Sequence, residues 1–215
     1  MQLQLKQLDV QPGQRIILRD VSWDHFEQIL NELGSDRSSR SAYYKETLEI
    51  MVPLPEHENG KENTGDFVKA LLEEIDIEFV PFGSTTFKRQ NMDTGVEPDE
   101  CFYIAHEAAM RGRRRIDLNV DPPPDLAIEI DITSSSEIKK RSYEALGVPE
   151  LWIYDGRRLE INVLRDGKYL KSTFSPTCPN FPIIEVIPKY VAVSQVDGRN
   201  TAIKAFRAWV REQLQ

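Results

Sequence analysis

The chain has 215 residues, of which 40% are hydrophobic and 29% charged, with a formal net charge of −8. That is the composition of an ordinary globular protein with one sizeable core, and the acidic balance argues against nucleic-acid binding by bulk attraction. No apolar run approaches the roughly 18 residues of a membrane helix; no signal-like N-terminus is visible; and the two cysteines, Cys101 and Cys178, form no CxxC pair. A single domain over 1–215 in the cytoplasm is the expectation.

In chain order, SWDHFEQILNELG predicts a helix. Ser22 can cap it, Trp23, Phe26, Leu30 and Leu33 share a stripe, and Gly34 stops it. SDRSSRSAYYK reads as a polar loop. TLEIMVPL reads as a strand ended by Pro53 and Pro55, and EHENGKENTGDFVKALLEEI as helical only in its second half, where Phe67, Leu71 and Ile75 recur. DIEFVPF and STTFKRQ are strand-like, MDTGVEPD is a turn, and ECFYI is a strand. Ala105 to Asn119 reads as helix plus loop. It contains RGRRR (Arg111 to Arg115), consistent with a solvated loop or a phosphate-contacting one.

Next comes PPPDLAIEIDITSSSEIKK. With a period of two, Leu126, Ile128, Ile130 and Ile132 share one face of a strand. Asp125, Ala127, Glu129, Asp131 and Thr133 share the other. An acidic face of this kind is either solvated, as on a half-exposed sheet, or holds a hard divalent cation. The following helix has capping-box spacing at Ser134 and Glu137, with Gly147 and Pro149 as stop signals. ELWIYD, RLEINVLRD and GKYLKSTF are strands, the last two joined by a hairpin turn at Asp166-Gly167. NTAIKAFRAWVREQL is a closing helix with Ile203, Phe206 and Val210 on one face. Helices interleaved with strands in this order predict an α/β or α+β fold around a mixed central sheet.

Several acids could join the strand's pair. Glu97 and Asp99 precede ECFYI, and Glu49 lies in TLEIM, upstream of Glu56, His57 and Glu58. His25 and His106 have no partner at motif spacing. Ser134 to Ser136 have no nearby histidine base and read as helix caps.

The blocks LEIMVPLPEHE, GSTTFKR, GVEPDECFYI, PPPDLAIEIDITSSS and ALGVPELWIYDG resemble, in order and over roughly Val21 to Phe206, a restriction-endonuclease family expanded in cyanobacteria. That family lies within the PD-(D/E)xK nuclease superfamily. The resemblance implies the restriction-endonuclease-like fold, a mixed sheet flanked by helices, with Mg²⁺ or Mn²⁺ at the sheet's edge and DNA as substrate. Its Pro-Asp maps onto Pro98-Asp99 and its (D/E)xK onto Glu129-Ile130-Asp131, so Asp131 stands where a lysine is usual. Lys139 on the next helix is either a migrated lysine or a solvated one.

The implied site is Asp99, Glu129, Asp131 and Lys139, with Asp99, Glu129, Asp131 and Glu49 as metal ligands. His57 and Glu58 either ligate or frame it. Lys88 and Arg89 either contact phosphate or face solvent. Carboxylate-held Mg²⁺ suits phosphodiester hydrolysis because it offsets charge on the attacking and leaving oxygens, and a protein cation adds to that. The alternative is a catalytically silent nuclease fold that binds protein or nucleic acid, which the missing motif lysine and the acidic charge favour. A homodimer is implied by the fold, with the AFRAWV stripe and the Asp166-Gly167 hairpin as candidate contacts.

If Ile128 and Ile130 face the core, Ile128→Asp or Ile130→Asp buries a lone charge at a cost comparable to total stability. Neither variant should give a cooperative thermal melt. A near-parental melt would show that this strand face is not core.

Overall fold

A computed structural model describes residues 10–34, 37–83, 85–132 and 135–215. It contains two β-sheets that share a helix. The smaller sheet is antiparallel, in spatial order β1 (Arg15–Leu18), β3 (Thr47–Met51), β2 (Arg40–Tyr44), β6 (Thr94–Val96), β5 (Phe87–Arg89). The larger is mixed: β11 (Lys168–Ser172), β10 (Leu159–Arg165), β9 (Glu150–Tyr154), β8 (Leu126–Ile130), β7 (Glu100–Tyr103), β4 (Val80–Pro81). The larger is the expected mixed central sheet; the antiparallel sheet beside it is additional.

The first helix, α1 (Trp23–Leu33), matches expectation: the Ser22 hydroxyl accepts from the His25 amide, and Gly34 takes a positive φ at the other end. Its Phe26 stacks on Tyr43 of β2 at 4.4 Å. That contact explains one error of the sequence reading. RSAYY is a strand rather than a loop because Ala42 and Tyr43 are core residues between β3 and β6.

Helix α2 (Pro55–Glu74) is longer than predicted. Its polar, glycine-bearing first half looks unhelical because Gly60 and Gly65 are poor helix formers. Both are close approaches to the large sheet. A Cβ at Gly60 would lie 3.1 Å from Ile130 Cγ2, and one at Gly65 would lie 3.3 Å from Glu100 Cγ.

β8 lies at the middle of the large sheet, antiparallel to β7 and parallel to β9, and all five of its residues are buried. Glu129, on the acidic side of that strand, is therefore not solvated. Phe67, Leu71, Ile128, Ile130 and Trp152 belong to one core beneath α2, α5 (Ile183–Asp197) and α6 (Arg199–Gln213). Across the sheet, Ala127, Leu151, Tyr143 and Leu146 form a second core with Ala42 and Val96 of the small sheet. The second core is built on α4 (Glu137–Leu146), the crossover from β8 to β9. The Ser142 hydroxyl on α4 donates to the Tyr43 carbonyl of β2 at 2.9 Å, which ties the helix to the small sheet.

α4 is capped by Ser136, whose hydroxyl accepts from the Lys139 amide at 3.1 Å; the expected box at Ser134 lies outside the described residues. Asp166 and Gly167 have φ of 48° and 74°, the geometry of the expected hairpin. α5 was not foreseen, because Pro188 inside it breaks the usual pattern. β1 and the short α3 (Glu107–Met110) complete the elements.

The AFRAWV stripe is internal. Phe206 and Val210 are fully buried, with Phe206 against Phe67 and Tyr190, and Arg207 and Arg211 of α6 bond Glu74 of α2. Phe206 and Val210 of the stripe thus pack within this chain, while Ala205 and Ala208 remain exposed. No described helix is long and apolar enough to cross a membrane.

Truncating Phe206 should therefore cost stability rather than association. Phe206→Ala should lose about 3–5 kcal/mol in urea unfolding. A loss below about 1 kcal/mol would contradict this packing.

Candidate active site

The period of two that sends Ile128 and Ile130 toward α2 sends Glu129 to the opposite side, under α4. There its two oxygens meet two side chains one helical turn apart. Glu129 Oε2 accepts from Lys139 Nζ at 2.5 Å, and Oε1 accepts from the Tyr143 hydroxyl. Glu129, Lys139 and Tyr143 are 2%, 4% and 0% exposed. Lys139 is thus not a solvated lysine; the chain bends it back onto the strand.

Asp99 enters from the end of β7. Its Oδ2 accepts from the Ile130 amide at 2.8 Å, just beyond the last paired residues, Glu100 and Ile128. The carboxylate continues the ladder between the two strands and so fixes the loop that carries it. Asp131 leaves β8 along β9, its amide donating to the Tyr154 carbonyl at 2.8 Å, and is partly exposed in a groove beside Ser136 and Lys140.

Glu49 comes from the small sheet. Its Oε2 accepts from the Ser136 hydroxyl at 2.9 Å, and Oε1 lies 3.4 Å from Arg15 Nε. Arg15 also donates to the Ser135 carbonyl at 3.0 Å. Ser136 therefore caps α4 and ties it to β3 through one hydroxyl.

Electrostatics bind these groups into one cluster. Burial pushes the Glu129 carboxyl up, with Asp99 and Asp131 adding to the rise and the Lys139 ammonium opposing it. Burial likewise raises Asp131 to about 6, with Lys139 and Arg15 opposing and Asp99 and Glu49 adding. Burial works against the Lys139 ammonium, but Glu129, Asp99 and Asp131 outweigh it and hold the amine charged, above its ordinary value. His57 is lowered by burial and by Lys139, against the pull of Asp99, and its Nδ1 accepts from the Leu54 amide at 3.2 Å. A neutral imidazole with Nδ1 engaged carries its proton on Nε2.

Asp99, Glu129, Asp131, Lys139 and Glu49 are thus brought together, and His57 borders them. Other candidates lie elsewhere. Glu58 is half exposed and pairs with Arg40 and Lys61. Glu97 bonds Arg37, Thr86 and the Ser41 amide. Lys88 pairs with Glu27 at 2.7 Å, and Arg111 and Arg113 with Glu107 and Asp121. His106 does have a partner, Asp125, at 2.7 Å. It was invisible in sequence because the two lie 19 positions apart. Sequence reasoning also missed Arg15 and Tyr143, whereas Ser136 caps α4 as its sequence suggested. The spacing of Lys139 and Tyr143, four apart on a helix, was the available signal for the tyrosine.

The donor types suit a hard divalent cation: carboxylates from three chain segments that raise one another's charge cost in a buried setting. Among the described residues, no three acids, histidines or cysteines already stand in a metal-binding arrangement. A carboxylate has about four acceptor positions. Glu129 uses one for Lys139 and one for Tyr143.

Residues 23–191 match the Uma2 family, described as "Putative restriction endonuclease". No curated protein sequence matches the chain. Among solved structures, the chain is similar to a "putative nuclease belonging to DUF820" from Anabaena variabilis, at 14% identity and a TM-score of 0.54, over 80% of this chain and 99% of that one.

Judged from the acidic face of the strand alone, removing Glu129 relieves repulsion and leaves the fold intact or slightly stabilised. In the structure it would strand the Lys139 ammonium. Glu129→Ala should lose about 3–5 kcal/mol, whereas Glu129→Gln with Lys139→Met, which removes both charges, should stay within about 1–2 kcal/mol of the parent. Equal losses in the two variants would show that the ion pair is not what matters.

Asp131 gives a pH test. Its folded value lies above the ordinary one, so the metal-free fold loses stability as pH rises from about 4 to about 6, and the cost is fully present above that. Asp131→Asn should be more stable than the parent by about 1–2 kcal/mol at pH 7, allowing for solvent screening, and no more stable near pH 3.5. A pH-independent difference would assign the effect to packing.

Proposed function

The chain belongs to the Uma2 family, and from that premise we propose that it is a metal-dependent endonuclease that hydrolyses phosphodiester bonds in DNA, working in the cytoplasm as a homodimer. The observation that carries this reading is the burial of Glu129 and Lys139 together, beside Asp99 and Asp131, at the carboxyl end of β8. A fold has no stability reason to keep such a cluster, since a buried ion pair is at best weakly stabilising. Perturbed carboxylates beside a fixed cation are what hydrolytic sites are built from.

Asp99, Glu129 and Asp131 would hold Mg²⁺ or Mn²⁺, with Glu49 next to them. The bound ion would lower the pKa of a coordinated water and offset charge on the phosphate. The remaining roles belong to the chain. Lys139 is kept charged by its acidic neighbours, so it serves as an electrostatic partner for developing negative charge and not as a base. Its position restores what the Asp131 replacement removes from the motif. Asp99 is locked by the Ile130 amide, which keeps one of its oxygens at the strand end. Neutral His57, its Nδ1 taken by the Leu54 amide, has an Nε2–H to offer at the border of the site.

A second reading has its own support. Both Glu129 oxygens are occupied by protein partners, as a silent nuclease fold that only binds a partner would allow. Nicking of supercoiled plasmid separates the two. The parent should cut in Mg²⁺ or Mn²⁺, stop on chelation, and lose at least about a hundredfold in rate in Asp99→Ala. Mg²⁺ at a hundred times its Kd should also stabilise the parent by about 2.7 kcal/mol. No cutting and no metal-dependent stabilisation in the parent would leave the silent fold as the better account.

A further inference from the structure

We propose that Tyr143 is a positioning residue of this site: its hydroxyl fixes the Glu129 carboxylate so that a divalent cation meets a pre-oriented ligand. The inference rests on the reading of Glu129 as a metal ligand and extends it to a side chain that no motif includes.

Tyr143 is fully buried in the core between the two sheets, and packing accounts for its ring. The hydroxyl is a separate matter. A buried O–H needs an acceptor, and this one has Glu129 Oε1, not a backbone carbonyl. The adjacent tyrosines of that core do otherwise: Tyr169 donates to the Val148 carbonyl at 2.8 Å and Tyr103 to the Pro122 carbonyl at 2.9 Å. Tyr143 alone of these three spends its hydroxyl on the acid.

The geometry gives the contact a consequence. Lys139 and Tyr143 lie four residues apart on α4 and reach the same carboxylate, one at each oxygen. With Lys139 alone, the carboxylate could turn about its last bond and offer both oxygens to the ammonium. With Tyr143 on the other oxygen, the carboxyl plane is set, and the lone pairs left over keep a fixed direction. Ser142, between them, is anchored to the Tyr43 carbonyl, so α4 cannot roll to relieve the grip. Outer-shell hydrogen bonds of this kind typically change metal affinity by about 10- to 100-fold.

Mn²⁺ titration by calorimetry, together with thermal melts with and without Mn²⁺, tests this on the parent, Tyr143→Phe and Tyr169→Phe. Tyr169→Phe deletes a buried hydroxyl that bonds only the backbone, so it controls for the loss of any core hydrogen bond. The expected result is a Mn²⁺ Kd raised at least about tenfold in Tyr143→Phe and unchanged in Tyr169→Phe, with both variants folded without metal. Parental Mn²⁺ affinity in Tyr143→Phe, or equal weakening in both variants, would overturn the proposal while the metal reading stands. Failure of the parent itself to bind Mn²⁺ would overturn both. Should Tyr143→Phe not fold, ring resonances in the parent decide: those of Tyr143 should shift on adding Mg²⁺ and those of Tyr169 should not, and an unmoved Tyr143 counts against the proposal.

Discussion

The structure turns on one costly interaction, the burial of a lysine ammonium and a glutamate carboxylate together beneath α4. Each charge alone would be unfavourable by several kcal/mol in that setting, so the surroundings must keep them within hydrogen-bond reach. Three devices do so. β8 is pinned between β7 and β9 in a fixed register, which places Glu129 on the α4 side. The N-terminus of α4 is capped by Ser136 and tied through the same hydroxyl to Glu49 on the small sheet. Tyr143, one turn past Lys139, closes the remaining oxygen. The helix that joins β8 to β9 is also what joins the two sheets, so the site and the assembly of the fold depend on the same element.

This arrangement accounts for an acidic chain with a nuclease-like site. The charge that matters is local. Asp99, Glu129 and Asp131 hold Lys139 in its charged form, and Lys139 in turn moderates the rise that burial imposes on Glu129 and Asp131. A lysine on the helix after the strand reaches the strand's glutamate only if that helix folds back over the sheet. The βαβ crossover, with parallel β8 and β9 on either side of α4, supplies that return path.

Much of this was legible in the sequence, for identifiable reasons. Alternation along DLAIEID put Ile128 and Ile130 in the core and Glu129 opposite them, because side chains on a strand alternate whatever surrounds it. Ser22 and Gly34 bounded α1, and Asp166-Gly167 set the last hairpin, because caps and tight turns are local chemistry. Asp99, Glu129, Asp131 and Lys139 were named as a group through family resemblance, and the fold brings them together. The errors also have local causes. RSAYY looked like a loop because Arg40 and Ser41 are polar, yet its strand is made by neighbours far along the chain. The first half of α2 looked unhelical because the glycines that weaken a helix are the ones that let it approach β7 and β8.

By itself, the sequence determined those features whose physics is local: strand faces, helix caps, turns, and the residue types a hydrolytic site needs. Tertiary structure alone decided whether Glu129 on β8 met water or protein, and whether Lys139 faced solvent or Glu129. It also decided that Phe206 and Val210 of α6 were spent on α2 and α5. These outcomes depend on which distant segment covers a surface. Burial, which sets the energy of a charge and the availability of a stripe, is a property of the neighbours and is not written in the residue itself.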